Sequence, residues 1–162
     1  GFTQARAANY ERIRKHIRSI DFIDWPKLHK DSRRGFYGAP AVYRYDQKKV
    51  CRDLFVEACV AEGCSINGGG YENYYQVPLF QDTKLYGQMW PVEHANGVTY
   101  TPLPAGALVN NEAMRKVQLL FGGISPIPQP ERMDQMIKGY CKVAANMDTL
   151  AAYQRKHRKK YR

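Results

Sequence analysis

At 162 residues, with 44% hydrophobic and 12% aromatic side chains, the chain is long enough for one domain with a real core. No run approaches the roughly 18 consecutive apolar residues of a membrane span, and Gly1 to Arg6 lacks the apolar centre of a secretory signal, so membrane proteins are set aside and a cytoplasmic location is expected. The formal net charge is +10, but six of the cations fall between Arg155 and Arg162, a stretch with no acid, and without them the balance is +4.

Residues 4–18 are rich in Ala and Arg, good helix formers, with Ile13 and Ile17 followed by Ile20 or Phe22 as an apolar edge. A helix is expected there, ended near Asp24-Trp25-Pro26 because the residue before proline resists helical geometry. Lys27 to Gly35 is polar and basic and reads as a loop. Residues 36–45 read as a strand in which Pro40 marks an irregularity or a sheet edge. Asp46 is placed to cap a following helix. That helix carries Val50, Cys51, Leu54, Phe55, Ala58 and Cys59 on one face and stops at Gly63. A short strand, Cys64 to Asn67, then runs into Gly68-Gly69-Gly70.

Farther on, Asn96-Gly97 has the form of a tight hairpin turn. Val117 to Phe121 reads as a buried strand, followed by a connector rich in glycine and proline. The last helix is expected from Pro130, a favoured first helical position, with Met133, Met136, Ile137, Tyr140, Val143, Met147 and Leu150 as its apolar edge. The expected class is α+β: a small, mostly antiparallel sheet with helices packed on it, one domain over 1–154 and a basic tail over 155–162.

Cysteines 51, 59, 64 and 141 form no Cys-x-x-Cys pair and stand near no histidine at a zinc-like interval. Free thiols in a reducing compartment, and no metal site, are expected. There is no phosphate loop, dinucleotide fingerprint, metalloprotease helix or nucleophile elbow. His94 beside Glu93 is the one histidine in a mixed setting, and no complete catalytic set can be assembled. The basic tail fits two roles. It is a solvated helix end whose cations complement the C-terminal dipole, or a grip on nucleic acid or another anionic surface. A basic binding module without catalytic activity is therefore kept beside any catalytic reading.

The densest signal is Gly68 to Phe80. Three glycines release the backbone, then three tyrosines and a phenylalanine crowd into ten residues, with Pro78 fixing the exit. Such rings line a cavity or interface, or they cap the domain's own core; the residues alone leave both open. Tyr71, Tyr74 and Tyr75, with Asn67 just before the glycines, are the candidate binding residues.

A series of segments carries a resemblance. It runs from Ala7-Ala8-Asn9-Tyr10-Glu11-Arg12-Ile13-Arg14, through Arg52-Asp53-Leu54-Phe55-Val56-Glu57-Ala58-Cys59-Val60-Ala61-Glu62-Gly63, to Gly70-Tyr71-Glu72-Asn73-Tyr74-Tyr75-Gln76-Val77-Pro78-Leu79-Phe80. It closes with Arg132 to Ile137 and Lys142 to Leu150. In order and spacing these resemble the C-terminal small domain of the DegT/DnrJ/EryC1 family, fold-type I, pyridoxal-phosphate-dependent aminotransferases of keto-sugars and keto-cyclitols. The resemblance covers about residues 5–150. Asn73 and Tyr74 depart from the Pro-Leu usual in that loop, and Lys84 to Asn111 has no clear counterpart.

The resemblance implies that Tyr75 takes the place of the loop's His or Tyr, which reaches towards cofactor and substrate. A phenol there can bond a substrate hydroxyl or a phosphate oxygen. Tyr71 becomes the loop's leading aromatic. It also implies that the Schiff-base lysine, the phosphate-binding groups and the carboxylate facing the pyridine nitrogen lie in a large domain that 162 residues cannot also contain. The chain is then expected to be a fragment or separate subunit, inactive alone. Within a full enzyme, expected as a homodimer, it helps close the cleft and select the acceptor, with glutamate or glutamine as amino donor.

Overall fold

Alternate residues of two strands, Ala39, Ala41 and Tyr43 on one and Leu119 and Phe121 on the other, are buried, as a sheet with one face on a core requires. The structure, a computed structural model, describes residues 1–35, 38–82 and 101–161. Its elements in chain order are α1 (Phe2–Ile17), β1 (Ile23–Asp24), β2 (Ala39–Tyr43), α2 (Arg52–Ala61), β3 (Ile66–Asn67), a 3-10 turn (Tyr74–Gln76), α3 (Pro78–Gln81), α4 (Val109–Val117), β4 (Gln118–Phe121), α5 (Pro130–Ala145) and α6 (Met147–Lys156). The backbone divides into two compact units, Gly1–Gly69 with Lys116–Arg162, and Gly70–Arg115.

The first unit is α+β. Its sheet runs β1-β2-β4-β3, antiparallel throughout. Pro40 sits opposite Leu120, while β1 reaches only Val42 and Tyr43. At Pro40 the strand is therefore a sheet edge on that side, and its missing N–H breaks no ladder. Helix α1 packs on α5, and α2 packs on α5 and α6. The core joins Tyr10, Ile13 and Ile17 of α1 to Leu54, Phe55 and Cys59 of α2 and to Met133, Met136, Tyr140 and Val143 of α5. Rings connect the layers: Trp25 stacks on Phe121 at 4.9 Å, and Phe121 meets Tyr140 edge-on at 5.2 Å.

Several boundaries differ from the sequence reading. Asp46 does not cap α2. Its side chain takes the N–H of Lys48 at 2.9 Å and its carbonyl takes those of Lys49 and Val50, closing a separate turn, and the helix starts after Cys51. The strand expected over Cys64 to Asn67 pairs only at Ile66 and Asn67. The long terminal helix is two helices, broken at Asn146 (φ −115, ψ 27). The Asn146 side-chain amide folds back onto the Lys142 carbonyl at 2.8 Å, a local bond that competes with the helical ladder. Helix α4 was not read from the sequence, and Val117 belongs to it rather than to the strand. The start of the 36–45 strand and the Asn96-Gly97 turn lie outside the described residues.

Gly63 ends α2 in the left-handed region at φ 80, where glycine avoids the Cβ clash. The basic tail does not leave the body at residue 155. Helix α6 carries Arg155 and Lys156 in its last turn, and a turn then brings the Lys160 ammonium and the Tyr161 hydroxyl to Glu57 of α2, each at 2.8 Å.

Candidate functional site

In the first unit, a guanidinium braces the start of the glycine run. Arg52, at the start of α2, donates from Nη1 to the Gly68 carbonyl and, at 2.9 Å, to the Gln118 carbonyl of β4, while Nε meets Asp53 at 2.6 Å. Asn67 is exposed, and its side-chain oxygen takes the Gly69 N–H at 2.7 Å, a turn-forming bond. Gly69 has φ 65, and a Cβ there would meet the Leu119 backbone at 3.3 Å. Asn67, proposed from sequence as a binding residue, is thus committed through its oxygen to shaping this turn.

In the second unit, Gly70 has φ 76, and the tyrosines then part company. Tyr71 and Tyr74 are 67% and 64% exposed, with their rings stacked at 6.5 Å and 20°. Tyr75 is only 8% exposed. Its hydroxyl donates to Glu112 Oε1, an oxygen that also takes the Gly106 N–H at 2.7 Å and the Gln76 amide at 3.3 Å. Burial first, and the Glu112 carboxylate second, push the Tyr75 phenol above its ordinary range. Buried Asn73 donates to Gln76 at 2.9 Å and accepts from Asn111 at 2.7 Å. The Gln81 amide ties the Tyr75 carbonyl to that of Leu103, the latter at 2.9 Å. Pro78 opens α3 at its first position, as its fixed φ favours.

Glu112 and Arg52 are the residues that sequence reasoning missed. Glu112 stands just past the stretch without a counterpart and in none of the quoted segments; the run Asn110-Asn111-Glu112-Ala113-Met114-Arg115-Lys116 has helical composition and could have placed it on a helix. Arg52 stands inside a quoted motif, but nothing in its spacing foretells that it reaches Gly68 and Gln118.

The remaining reactive groups are quiet. Burial raises the Cys59 thiol, and raises Cys64, whose Sγ donates to the Met136 carbonyl at 3.3 Å, to about 11. Neither supplies a thiolate near neutrality. All four cysteines are free, Cys59 and Cys64 buried. Among the described residues no group of three His, Cys, Asp or Glu could hold a metal, and no helix is long and apolar enough to cross a membrane. Every described lysine is exposed, whereas a Schiff-base lysine relies on a desolvated site. The described residues therefore do not fit covalent attachment of pyridoxal phosphate. Glu93 and His94 lie outside the described residues. Along α1, a groove of about 320 Å³ is lined by Ala7, Glu11, Leu28 and Arg33 among others.

No family model, no curated protein and no solved structure matches the chain.

Proposed function

We propose that the chain is the C-terminal small domain, or a separate small subunit, of a pyridoxal-phosphate-dependent aminotransferase of the DegT/DnrJ/EryC1 type acting on a keto-sugar or keto-cyclitol. The observation that carries this reading is the exposed, mutually stacked Tyr71–Tyr74 pair in the loop that the resemblance assigns to the acceptor. Ring faces of this kind suit the C–H faces of a sugar or cyclitol. An α+β fold with helices at both ends, and a glycine stop after the Arg52-to-Glu62 motif, agree with it.

On this reading the two exposed rings meet the acceptor. Tyr75 positions them, because its ring is buried and its proton is directed to Glu112. Asn67 and Arg52 set the glycine turn that precedes them. The cofactor, which supplies the electron sink for transamination, is held by a large domain. This chain takes no covalent step.

The test has two parts. The coding sequence upstream of Gly1 is expected to contain a large domain with the cofactor lysine; an unrelated domain joined there refutes the reading. In the full enzyme, Tyr74→Ala is expected to raise KM for the keto acceptor about tenfold, the ~1.4 kcal/mol of one lost aromatic contact, with the donor half-reaction unchanged. An unchanged acceptor KM in both Tyr71→Ala and Tyr74→Ala removes the pair from the site.

A further inference from the structure

The cationic C-terminal end of α6 is not alone on its surface. Gln154, 7% exposed, accepts the Cys51 N–H at 2.7 Å and sends its amide to the carbonyls of Gln47 and Lys48, each at 3.4 Å. That one buried side chain seats the Lys48-Lys49 turn beside the end of α6. Two stretches more than a hundred residues apart in sequence thus pool their charge. Lys48, Lys49, Arg155, Lys156, Arg158 and Lys159 are all exposed, and among the described residues none of them is in an ion pair. The acids nearby are engaged: Glu57 with Lys160 and Tyr161, and Asp46 with the backbone of its own turn.

Rings run through the same patch. Tyr153 is 44% exposed. It lies 4.2 Å from the His157 ring at an angle of 31°, and 6.3 Å from the Tyr161 ring. Free cations around exposed aromatic faces form the pattern that holds an unpaired polynucleotide, with phosphates on the cations and bases stacked on the rings. A duplex offers no free base faces to such rings, and an anionic membrane surface, which cations alone can hold, does not call on stacked rings.

We infer that the end of α6 and the Lys48-Lys49 turn form one binding surface for single-stranded nucleic acid, with Tyr153 and His157 as the stacking platform. The inference is independent of the aminotransferase reading, since none of these residues belongs to the tyrosine loop.

The test is fluorescence anisotropy of the full chain with a labelled oligouridylate about twelve nucleotides long, over a range of salt. If about four to five phosphates are contacted, log K is expected to fall against log salt with a slope of about −3, from ~0.7 per contact on a single strand. Replacing both Lys48 and Lys49 by Ala is expected to flatten that slope by about 1.4. Tyr153→Ala is expected to weaken the oligonucleotide about tenfold while leaving inorganic polyphosphate binding unchanged. His157→Ala, at an exposed position past the end of α6, gives the same reading if Tyr153→Ala lowers the melting temperature. Four results overturn the inference: no salt-dependent binding at about 50 mM salt; a slope untouched by the lysine pair; an abasic oligomer binding as tightly as the base-bearing one; or phosphatidylserine vesicles binding more tightly than the oligonucleotide.

Discussion

Gly68 to Ala should unseat Arg52. Gly68 is absent from the positive-φ glycines, so an alanine meets no backbone strain there. The new Cβ would instead stand 2.7 Å from both Cζ and Nη1 of Arg52. Carbon and nitrogen need about 3.5 Å, so the guanidinium must retreat by roughly 1 Å, taking Nη1 out of hydrogen-bond range of the Gln118 carbonyl, now at 2.9 Å. The Arg52 side chain is 15% exposed, and its bonds to Gly68 and Gln118 are charge-assisted, about 1.5–3 kcal/mol each when buried. Both carbonyls belong to half-buried residues that water can reach once the side chain leaves, so the low end applies. The expected cost is about 2 kcal/mol for Gly68→Ala and about 3 kcal/mol for Arg52→Ala, with the double variant no worse than Arg52→Ala alone. The coupling is thus about 2 kcal/mol. Equilibrium urea unfolding followed by circular dichroism measures it, and a thermal scan should show Gly68→Ala melting about 4–8 °C lower. A loss below about 0.5 kcal/mol for Gly68→Ala, or strict additivity in the double variant, refutes the clamp.

Tyr43 and Tyr140 are both fully buried and each donates one hydrogen bond, to Val50 at 3.0 Å and to Ser65 at 2.9 Å. The Ser65 carbonyl also takes the Gly122 N–H at 2.8 Å, so Tyr140→Phe leaves a satisfied acceptor and is expected to cost about 1 kcal/mol. Tyr43→Phe strips a buried carbonyl and is expected to cost about 2 kcal/mol; the reverse order in urea midpoints contradicts this account. The Lys160 and Tyr161 hydrogen bonds hold the Glu57 carboxyl below its ordinary 4.5. A depressed carboxyl stabilises the fold above its unfolded value and loses that contribution as pH falls through the folded one. The stability difference between the native chain and Glu57→Gln, at most about 1 kcal/mol for so exposed a contact, is therefore expected at pH 7 and should shrink towards zero as the pH falls below the lowered folded-state value. A difference that grows on acidification rules out the contact.

Where a helix buries its own apolar edge in the core, the pattern was plain in the chain: α1, α2 and α5 show the spacing that the core then uses. Helix α4 buries none of its residues, so no core-facing stripe announced it, and Val109 and Met114 stand exposed. The break at Asn146 was hidden because Val143 and Met147 keep the apolar rhythm on both sides of it. The two-residue strands are too short for any alternation to register. At the candidate site, composition marked the right loop but could not rank its rings. Tyr74 and Tyr75 are neighbours in a tight turn, and only the Glu112 partnership, across thirty-seven positions, separates the buried phenol from the exposed one.

The strand order β1-β2-β4-β3 carries a consequence for biosynthesis. Strand β3 touches the sheet only through β4, and β2 has only the two-residue β1 on its other side. On the ribosome, β1 and β2 can pair early, but β3 must wait for Gln118–Phe121 to emerge before the four-stranded sheet can close. Nascent chains stalled before that point expose the inner faces of Ala39–Tyr43 and of α2, a sticky interval during which a chaperone has something to hold.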